Sequence, residues 1–104
     1  MDTVLITGTT SGIGKAFVEK FASMGNNIIL VSKNRDQLQH QQIDLQTRYQ
    51  VLVKYISCDL AEANAADTIM EKIRSWGLSV DVLINNAGFN EAGCFANTNL
   101  AKEL

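Results

Sequence analysis

Residues 7–14 read Thr-Gly-Thr-Thr-Ser-Gly-Ile-Gly, and the segments on either side of them differ in character. The segment before them, Val4 to Thr7, is a short apolar run that predicts a buried strand. The segment after them carries apolar side chains at the spacing of one helical face, namely Ile13, Ala16, Phe17, Phe21 and Met24. Gly25 then stands where a helix end favours a left-handed residue. The predicted order is a strand, a tight glycine-rich turn and a helix.

The three glycines of this turn each have a predicted use. Gly8 lets the chain turn sharply off the strand, Gly12 lets the backbone approach a pyrophosphate, and Gly14 lets helix and strand pack closely. The first N–H groups of the helix would then face the phosphates. The spacing Gly-x-x-x-Gly-x-Gly is not the Gly-x-Gly-x-x-Gly of ordinary Rossmann dehydrogenases, and it lacks the Gly-Lys-Ser/Thr ending of a P-loop. The alternative is that the glycines only shape a loop.

The rest of the chain continues the alternation of strands and helices. Further strands are predicted at Ile28 to Val31, Val51 to Ser57 and Val80 to Ile84. One helix starts after Asn34, a predicted N-cap with Gln37 three residues on, and runs to about Arg48 with a thin apolar stripe of Leu38, Leu45 and Tyr49. The next uses Ala66, Ile69, Met70, Ile73 and Trp76 and ends at Gly77, and Thr98 or Asn99 could cap another.

This alternation predicts an α/β fold with a doubly wound, Rossmann-like parallel sheet. The apolar strands require helices on both faces, and right-handed crossovers favour the strand order 3-2-1-4. With 104 residues the chain is one domain.

The composition excludes several classes of partner. A net charge of −2 offers no case for binding nucleic acid or an anionic membrane, and the apolar runs are too short for a transmembrane helix. Asp2 stands where a signal peptide has a basic residue. Cys58 and Cys94 have no metal-ligand spacing. Reduced thiols in a cytoplasmic protein are favoured over a disulfide, which the sequence alone leaves open.

Three motifs together resemble the cofactor-binding part of the short-chain dehydrogenase/reductase family. They are Thr7-Gly-x-x-x-Gly-Ile-Gly14, Asp59-Leu60 after the third strand, and Asn85-Asn86-Ala87-Gly88 after the fourth. The resemblance implies that a nicotinamide dinucleotide contacts the loop residues Gly8, Thr10, Ser11, Gly12, Ile13 and Gly14 through its diphosphate and adenosine ribose. It also implies that Asp59 binds the adenine amino group and that Leu60 bounds the adenine pocket.

The resemblance assigns roles to the last motif as well. Asn86, Ala87 and Gly88 would line the ribose and nicotinamide side, and Asn85 would brace the fourth strand. Asp59 has a rival interpretation as a helix N-cap, with Glu62 three residues later.

The end of the second strand bears on the choice of cofactor. An acidic residue there would bind the ribose 2′-hydroxyl of NAD and repel a 2′-phosphate, whereas this chain has Ser32, Lys33 and Asn34, followed by Arg35. A hydroxyl, an ammonium and an amide suit a phosphate monoester, and Ser11 could add a further hydroxyl. NADP(H) is therefore favoured over NAD(H). The alternative is that the two cations are ordinary solvated charges.

The family's catalytic Tyr-x-x-x-Lys pair has no counterpart in the chain. Val53 lies four residues after Tyr49, and Asp59 lies four residues after Tyr55. His40 is expected on a polar helix far from the cleft, and Cys94 has no base beside it, so neither replaces the pair. No catalytic residue and no metal ligand is assigned. We therefore expect residues 1–104 to be the cofactor-binding N-terminal part of one Rossmann-like domain, truncated before its catalytic half and inactive alone.

A full-length parent would then transfer a hydride between the nicotinamide and a small carbonyl or alcohol substrate. Residues 88–95 resemble a loop of family members that reduce ketoacyl or steroid-like carbonyls. Two alternatives come from other functional classes. One is a non-catalytic dinucleotide-binding or sensing module. The other is a fragment that self-associates through the exposed edge of the fourth strand.

Overall fold

The structure is a computed structural model that describes residues 2–86. Its elements are β1 (Thr3–Thr7), α1 (Gly12–Ser23), β2 (Asn27–Ser32), α2 (Arg35–Tyr49), β3 (Val53–Ser57), α3 (Ala65–Ser75) and β4 (Val82–Asn85). All strand pairs are parallel, and the sheet order is β3-β2-β1-β4. The predicted fold class and strand order are confirmed. The predicted helix near Thr98 and the loop of residues 88–95 lie outside the described residues.

Helices cover both faces of the sheet, because successive strand residues point to opposite sides. On one face, α3 contributes Ala65, Ile69 and Ile73 to a core with Leu5, Ile29, Val31 and Leu83. On the other face, α1 and α2 contribute Val18, Ala22, Leu38 and Leu45 to a core with Val4, Ile6, Ile28 and Leu30. The central strands β1 and β2 are thus buried on both sides, which explains their unbroken apolar runs.

The predicted buried face of α1 is wrong. The helix buries Gly14, Val18 and Ala22, whereas Ile13 is 67% exposed and Met24 is 64% exposed. Apolar residues lie on both sides of this helix, so periodicity alone does not tell which side meets the sheet. The contact of Gly14 with the backbone of Gly8, described below, sets the rotation of the helix instead.

Helix starts agree with the sequence at α2 and differ at α3. Asn34 caps α2 by accepting a hydrogen bond from the Gln37 N–H at 3.1 Å, as predicted. Asp59 does not cap α3, which starts at Ala65 after Asn64. The Asp59 carboxylate instead accepts from the Ala61 N–H at 2.9 Å, forming a local turn before the helix. Strands β3 and β4 each start two residues later than predicted, at Val53 and Val82.

The polar helix α2 is bonded to its neighbours through glutamine side chains. Gln42 Nε2 donates to the Val53 carbonyl at 2.6 Å, and Gln46 Oε1 accepts from the Val53 N–H at 3.4 Å. These bonds occupy backbone groups of the edge strand β3. Strand β4, at the opposite edge, has no second strand partner within residues 2–86. No helix in this part of the chain has the length and apolar character needed to cross a bilayer.

Candidate dinucleotide-binding site

The candidate site lies at the carboxyl end of the sheet, where parallel strands end together. Backbone bonds attach the glycine-rich loop to β2, since the N–H groups of Gly8 and Thr9 both donate to the Val31 carbonyl, at 2.9 and 3.5 Å. Gly8 has φ +66°, a left-handed conformation that glycine adopts without steric cost. The chain therefore leaves β1 and turns sharply across the end of β2.

Ser11 closes the loop onto the start of α1. Its Oγ accepts from the Gly14 N–H at 3.1 Å, which makes Ser11 the N-cap of the helix. The same hydroxyl donates to the Gly8 carbonyl at 2.9 Å. Ser11 is thus held by protein groups, and its contact with the dinucleotide stays a prediction.

Gly12 and Gly14 differ in what surrounds them. A Cβ atom at Gly14 would lie 2.0 Å from the Gly8 carbonyl oxygen and 2.9 Å from Nδ2 of Asn86. A Cβ atom at Gly12 would meet nothing within 4 Å among the described residues. Protein packing therefore explains the glycine at 14 but not the one at 12, where the open space leaves room for a ligand to approach the backbone.

Several backbone donors on this loop have no acceptor within residues 2–86. They are the N–H groups of Thr10, Gly12 and Ile13. The Gly12 and Ile13 N–H groups belong to the first turn of α1, where the helix dipole places partial positive charge. Ile13 is exposed, so its backbone is accessible. This arrangement can receive the oxygens of a phosphate or diphosphate.

At the end of β2, Ser32 contacts the glycine-rich loop. Its Oγ lies 3.0 Å from Oγ1 of Thr10. Lys33 is exposed and makes no ion pair in the described part of the chain. The Asn34 side-chain oxygen is engaged in capping α2. Lys33, directly after Ser32, is therefore one exposed cation that could meet an anionic group at this end of β2, and Lys15 shares the depression described below with Thr10.

The second and third motifs join the site to different extents. Asn86 Nδ2 donates to the Gly8 carbonyl at 3.3 Å and to Ser11 Oγ at 3.1 Å, which ties the end of β4 to the loop. Asn85 Oδ1 accepts from Thr7 Oγ1 at 2.9 Å, linking β4 to β1. Asp59 is half-buried in its turn.

Leu60, the second residue of the second motif, lies among the described residues. Leu60 is only 5% exposed and packs in the core with residues of α3, and its role beside the adenine stays a prediction. Ala87 and Gly88 lie outside the described residues.

A depression beside the loop contains residues that sequence reasoning kept away from the site. It has a volume of about 350 Å³ and is lined by Thr10, Lys15, Gln37, His40, Gln41 and Asp44. His40 shares this depression with Thr10, and its predicted distance from the substrate cleft stays a prediction. Gln41 was missed, because a glutamine-rich helix gives no sequence signal for which amides contact the loop.

The strongest perturbation of acid–base groups lies on the outer surface between α1 and α2, not in the site. Arg48 forms ion pairs with Glu19 and Asp44, and Tyr49 Oη donates to Glu19 at 2.9 Å. The hydrogen bond from Arg48 lowers the pKa of the Glu19 carboxyl, and the bond to Glu19 raises the pKa of Tyr49. These groups connect two helices, and Asp44 is the one member of the cluster that also lines the depression beside the loop.

Comparison with known proteins decides the family. The sequence profile described as short chain dehydrogenase matches residues 2–103. The chain belongs to the short chain dehydrogenase family. One curated relative is the very-long-chain 3-oxoacyl-CoA reductase of Homo sapiens. It is 30% identical to this chain over 86 residues, which are 83% of this chain and 27% of that protein.

Solved structures agree with the family assignment. L-sorbose reductase from Gluconobacter frateurii, complexed with NADPH and L-sorbose, has a TM-score of 0.80 and 37% identity over 84% of this chain and 33% of its own. An NAD⁺-bound xylitol dehydrogenase has a TM-score of 0.74 and 29% identity over 85% of this chain and 34% of its own. This short chain dehydrogenase chain thus spans about a quarter to a third of the length of the proteins it matches.

Proposed function

We propose that residues 1–104 are the dinucleotide-binding part of an NADP(H)-dependent short chain dehydrogenase. The observation that carries this proposal is the contrast between Gly14, which the fold itself requires, and Gly12, which faces open space beside backbone N–H groups that lack a protein acceptor. A diphosphate is the ligand that this combination fits. When bound, the nicotinamide would supply the hydride acceptor or donor.

The preference for NADP(H) is supported by the end of β2. No carboxylate stands there to repel a phosphate, and Ser32 and Thr10 place two hydroxyl groups 3.0 Å apart beside the exposed Lys33. Ammonium and hydroxyl groups bind a phosphate monoester through charge-assisted hydrogen bonds. One similar structure holds NADPH and another holds NAD⁺, so the proposed preference for NADP(H) depends on these side chains.

The carbonyl or alcohol substrate belongs to a longer parent protein. The chain has no Tyr-x-x-x-Lys pair, and we propose that it does not catalyse hydride transfer alone. The relationship to an oxoacyl-CoA reductase suggests an oxoacyl-type carbonyl as the parent's substrate class. We also propose a cytoplasmic location with reduced thiols. Cys58 is half-buried and Cys94 lies outside the described residues, so that proposal depends on the sequence.

A titration with NADPH and NADH, followed by nicotinamide fluorescence, tests both parts of the proposal. We expect the wild-type chain to bind both dinucleotides weakly and NADPH more tightly. Lys33→Ala should weaken NADPH binding about tenfold and NADH binding less than twofold, because only NADPH carries the 2′-phosphate. Lys20→Ala, at the far end of α1, is the matched control and should change neither affinity.

Two results would contradict the proposal in separable ways. If the folded wild-type chain bound neither dinucleotide at millimolar concentration, the binding function would be wrong. If Lys33→Ala reduced both affinities equally, or neither, the binding function would stand and the assignment of the 2′-phosphate to Lys33 would be wrong.

A further inference from the structure

Gln41 is the residue of α2 that reaches the glycine-rich loop. Its Nε2 donates to the carbonyl oxygen of Thr9 at 2.7 Å. Thr9 is fully buried and the bond itself is partly buried, so its loss should leave the Thr9 carbonyl poorly satisfied. The orientation of the Gln41 amide follows from the contact, because a carbonyl oxygen can only accept a hydrogen bond and must therefore meet the amide nitrogen.

The bond to Gln41 determines which way the next backbone donor points. The Thr9 carbonyl and the Thr10 N–H belong to one peptide unit, and the described chain has no cis peptide. In a planar trans peptide the C=O and N–H bonds point in opposite directions. Since the carbonyl points to Gln41, the Thr10 N–H points away from α2. It has no acceptor within residues 2–86.

Two side chains hold this peptide unit, and they come from different elements. Gln41 holds the Thr9 carbonyl from α2, while Ser32 at the end of β2 contacts the Thr10 hydroxyl at 3.0 Å. Buried polar atoms surround this point, since Oγ1 of Thr9 and Oε1 of Gln41 are both buried without a hydrogen-bond partner in the described part of the chain. The hydrogen bond from Gln41 to Thr9, called the tether below, therefore lies among polar atoms.

We propose that Gln41 is a positioning residue for dinucleotide binding, which fixes the Thr9–Thr10 peptide so that the Thr10 N–H is presented to the bound dinucleotide. The inference rests on the proposed binding function. A donor that is already oriented binds with less loss of conformational entropy than one that must first be ordered. Loss of the tether should therefore weaken binding even where the fold persists.

Gln42 provides a matched control for this role. Its Nε2 also donates from α2 to a partly buried backbone carbonyl, that of Val53 at 2.6 Å, but on β3 and away from the loop. We expect Gln41→Leu to weaken binding of NADPH and NADH about threefold to tenfold. Gln42→Leu should stay within about twofold of the wild type, although we expect urea unfolding to show both variants destabilised to a similar degree. If the leucine variant at 41 does not fold, Gln41→Met replaces it.

The Thr10 N–H can also be observed directly by NMR. In a ¹⁵N-labelled chain, addition of NADPH should shift the amide resonance of Thr10, and this shift should be much smaller in the Gln41 variant than in the Gln42 variant. Equal affinities of the two folded variants, or a wild-type Thr10 amide that does not respond to NADPH, would overturn the inference. A wild-type chain that binds no dinucleotide would overturn the proposed function first, which distinguishes the two failures.

Discussion

The backbone of Gly14 lies so close to the backbone of Gly8 that a Cβ atom on Gly14 would be 2.0 Å from the Gly8 carbonyl oxygen. Helix α1 therefore meets the end of β1 backbone to backbone. This contact sets the rotation of the helix, buries the side with Val18 and Ala22, and leaves Gly12 and Ile13 on the accessible side of the loop. The packing of the fold and the exposure of the candidate site thus depend on the same pair of glycines.

Substitution of the two helix glycines should separate folding from binding. Gly14→Ala places a methyl group against a backbone carbonyl, and overpacking of this kind costs about 1–3 kcal/mol or more. Gly12→Ala fills open space in a helix and should change the free energy of unfolding by no more than about 1 kcal/mol, in the stabilising direction. Urea unfolding measures both effects.

For cofactor binding, the substitution at Gly12 is the informative one. The Gly12→Ala chain should be well folded but should bind NADPH at least about tenfold more weakly, because its methyl group would occupy the space of the diphosphate. A well-folded Gly12→Ala chain with wild-type affinity would argue against a ligand at this position. A Gly14→Ala chain as stable as the wild type would mean that the close backbone contact is wrong.

The Arg48 cluster predicts a pH dependence of stability. Arg48 lowers the pKa of Glu19 in the folded chain, below the ordinary value of 4.5. A carboxyl with a depressed folded-state pKa stabilises the fold above its unfolded-state pKa, and this contribution is lost as the pH falls through the folded-state value. Since the Glu19 side chain is 42% exposed, solvent screening limits the contribution to about 0.5–1 kcal/mol.

Glu19→Gln should therefore lower stability at neutral pH and have a smaller effect as the pH falls below about 4. Urea unfolding at pH 7 and at pH 3 measures the difference, and Glu71→Gln, on the exposed side of α3, is the control. An equal loss at both pH values would show that Glu19 acts through its shape and hydrogen bonds rather than its charge.

Strand β4 is the site at which we expect self-association. Its outer edge has no strand partner within residues 2–86, and Val82 and Ile84 beside it are only partly buried. An unpaired edge of this kind pairs readily with another chain. Ile84→Lys should therefore shift the chain towards monomer in size-exclusion chromatography with light scattering over a range of concentrations. Ile43→Lys, which adds the same charge at an exposed position on α2, should not.

A wild-type chain that remains monomeric at high concentration would remove the pairing hypothesis. Equal effects of the two lysine variants would instead assign any association to general surface hydrophobicity.

The sequence predicted the parts of this fold that depend on local chemistry. Strand and helix order, the cap at Asn34 and the sharp turn at Gly8 all follow from residue type and short spacing, whereas the cap at Ser11 was not predicted. The rotation of α1 did not follow, since the predicted apolar face includes the exposed Ile13, and the buried side is shifted by one residue towards Gly14. The turn at Asp59 was missed because a carboxylate can cap a helix or a turn equally well.

In the candidate site too, some residues could be predicted from the sequence and others could not. The glycine-rich loop is visible in the sequence because its glycines are required by backbone geometry, whereas Gln41 resembles every other glutamine of α2. Its contact with Thr9, 32 positions earlier, exists only after the sheet has brought α2 beside the loop. The backbone-mediated part of a site is thus easier to predict from sequence than the side chains that hold it.

The two edges of the sheet differ, because glutamine side chains cover the outer edge of β3. Gln42 and Gln46 occupy both backbone groups of Val53, while the far side of β4 has no such cover in the described residues. A contact that joins the open side of one copy to the open side of another is self-complementary and closes after two chains. Continued head-to-tail growth would require the open side to displace the glutamines of the next copy. We therefore expect any association through the β4 edge to stop at a dimer rather than continue as a fibre.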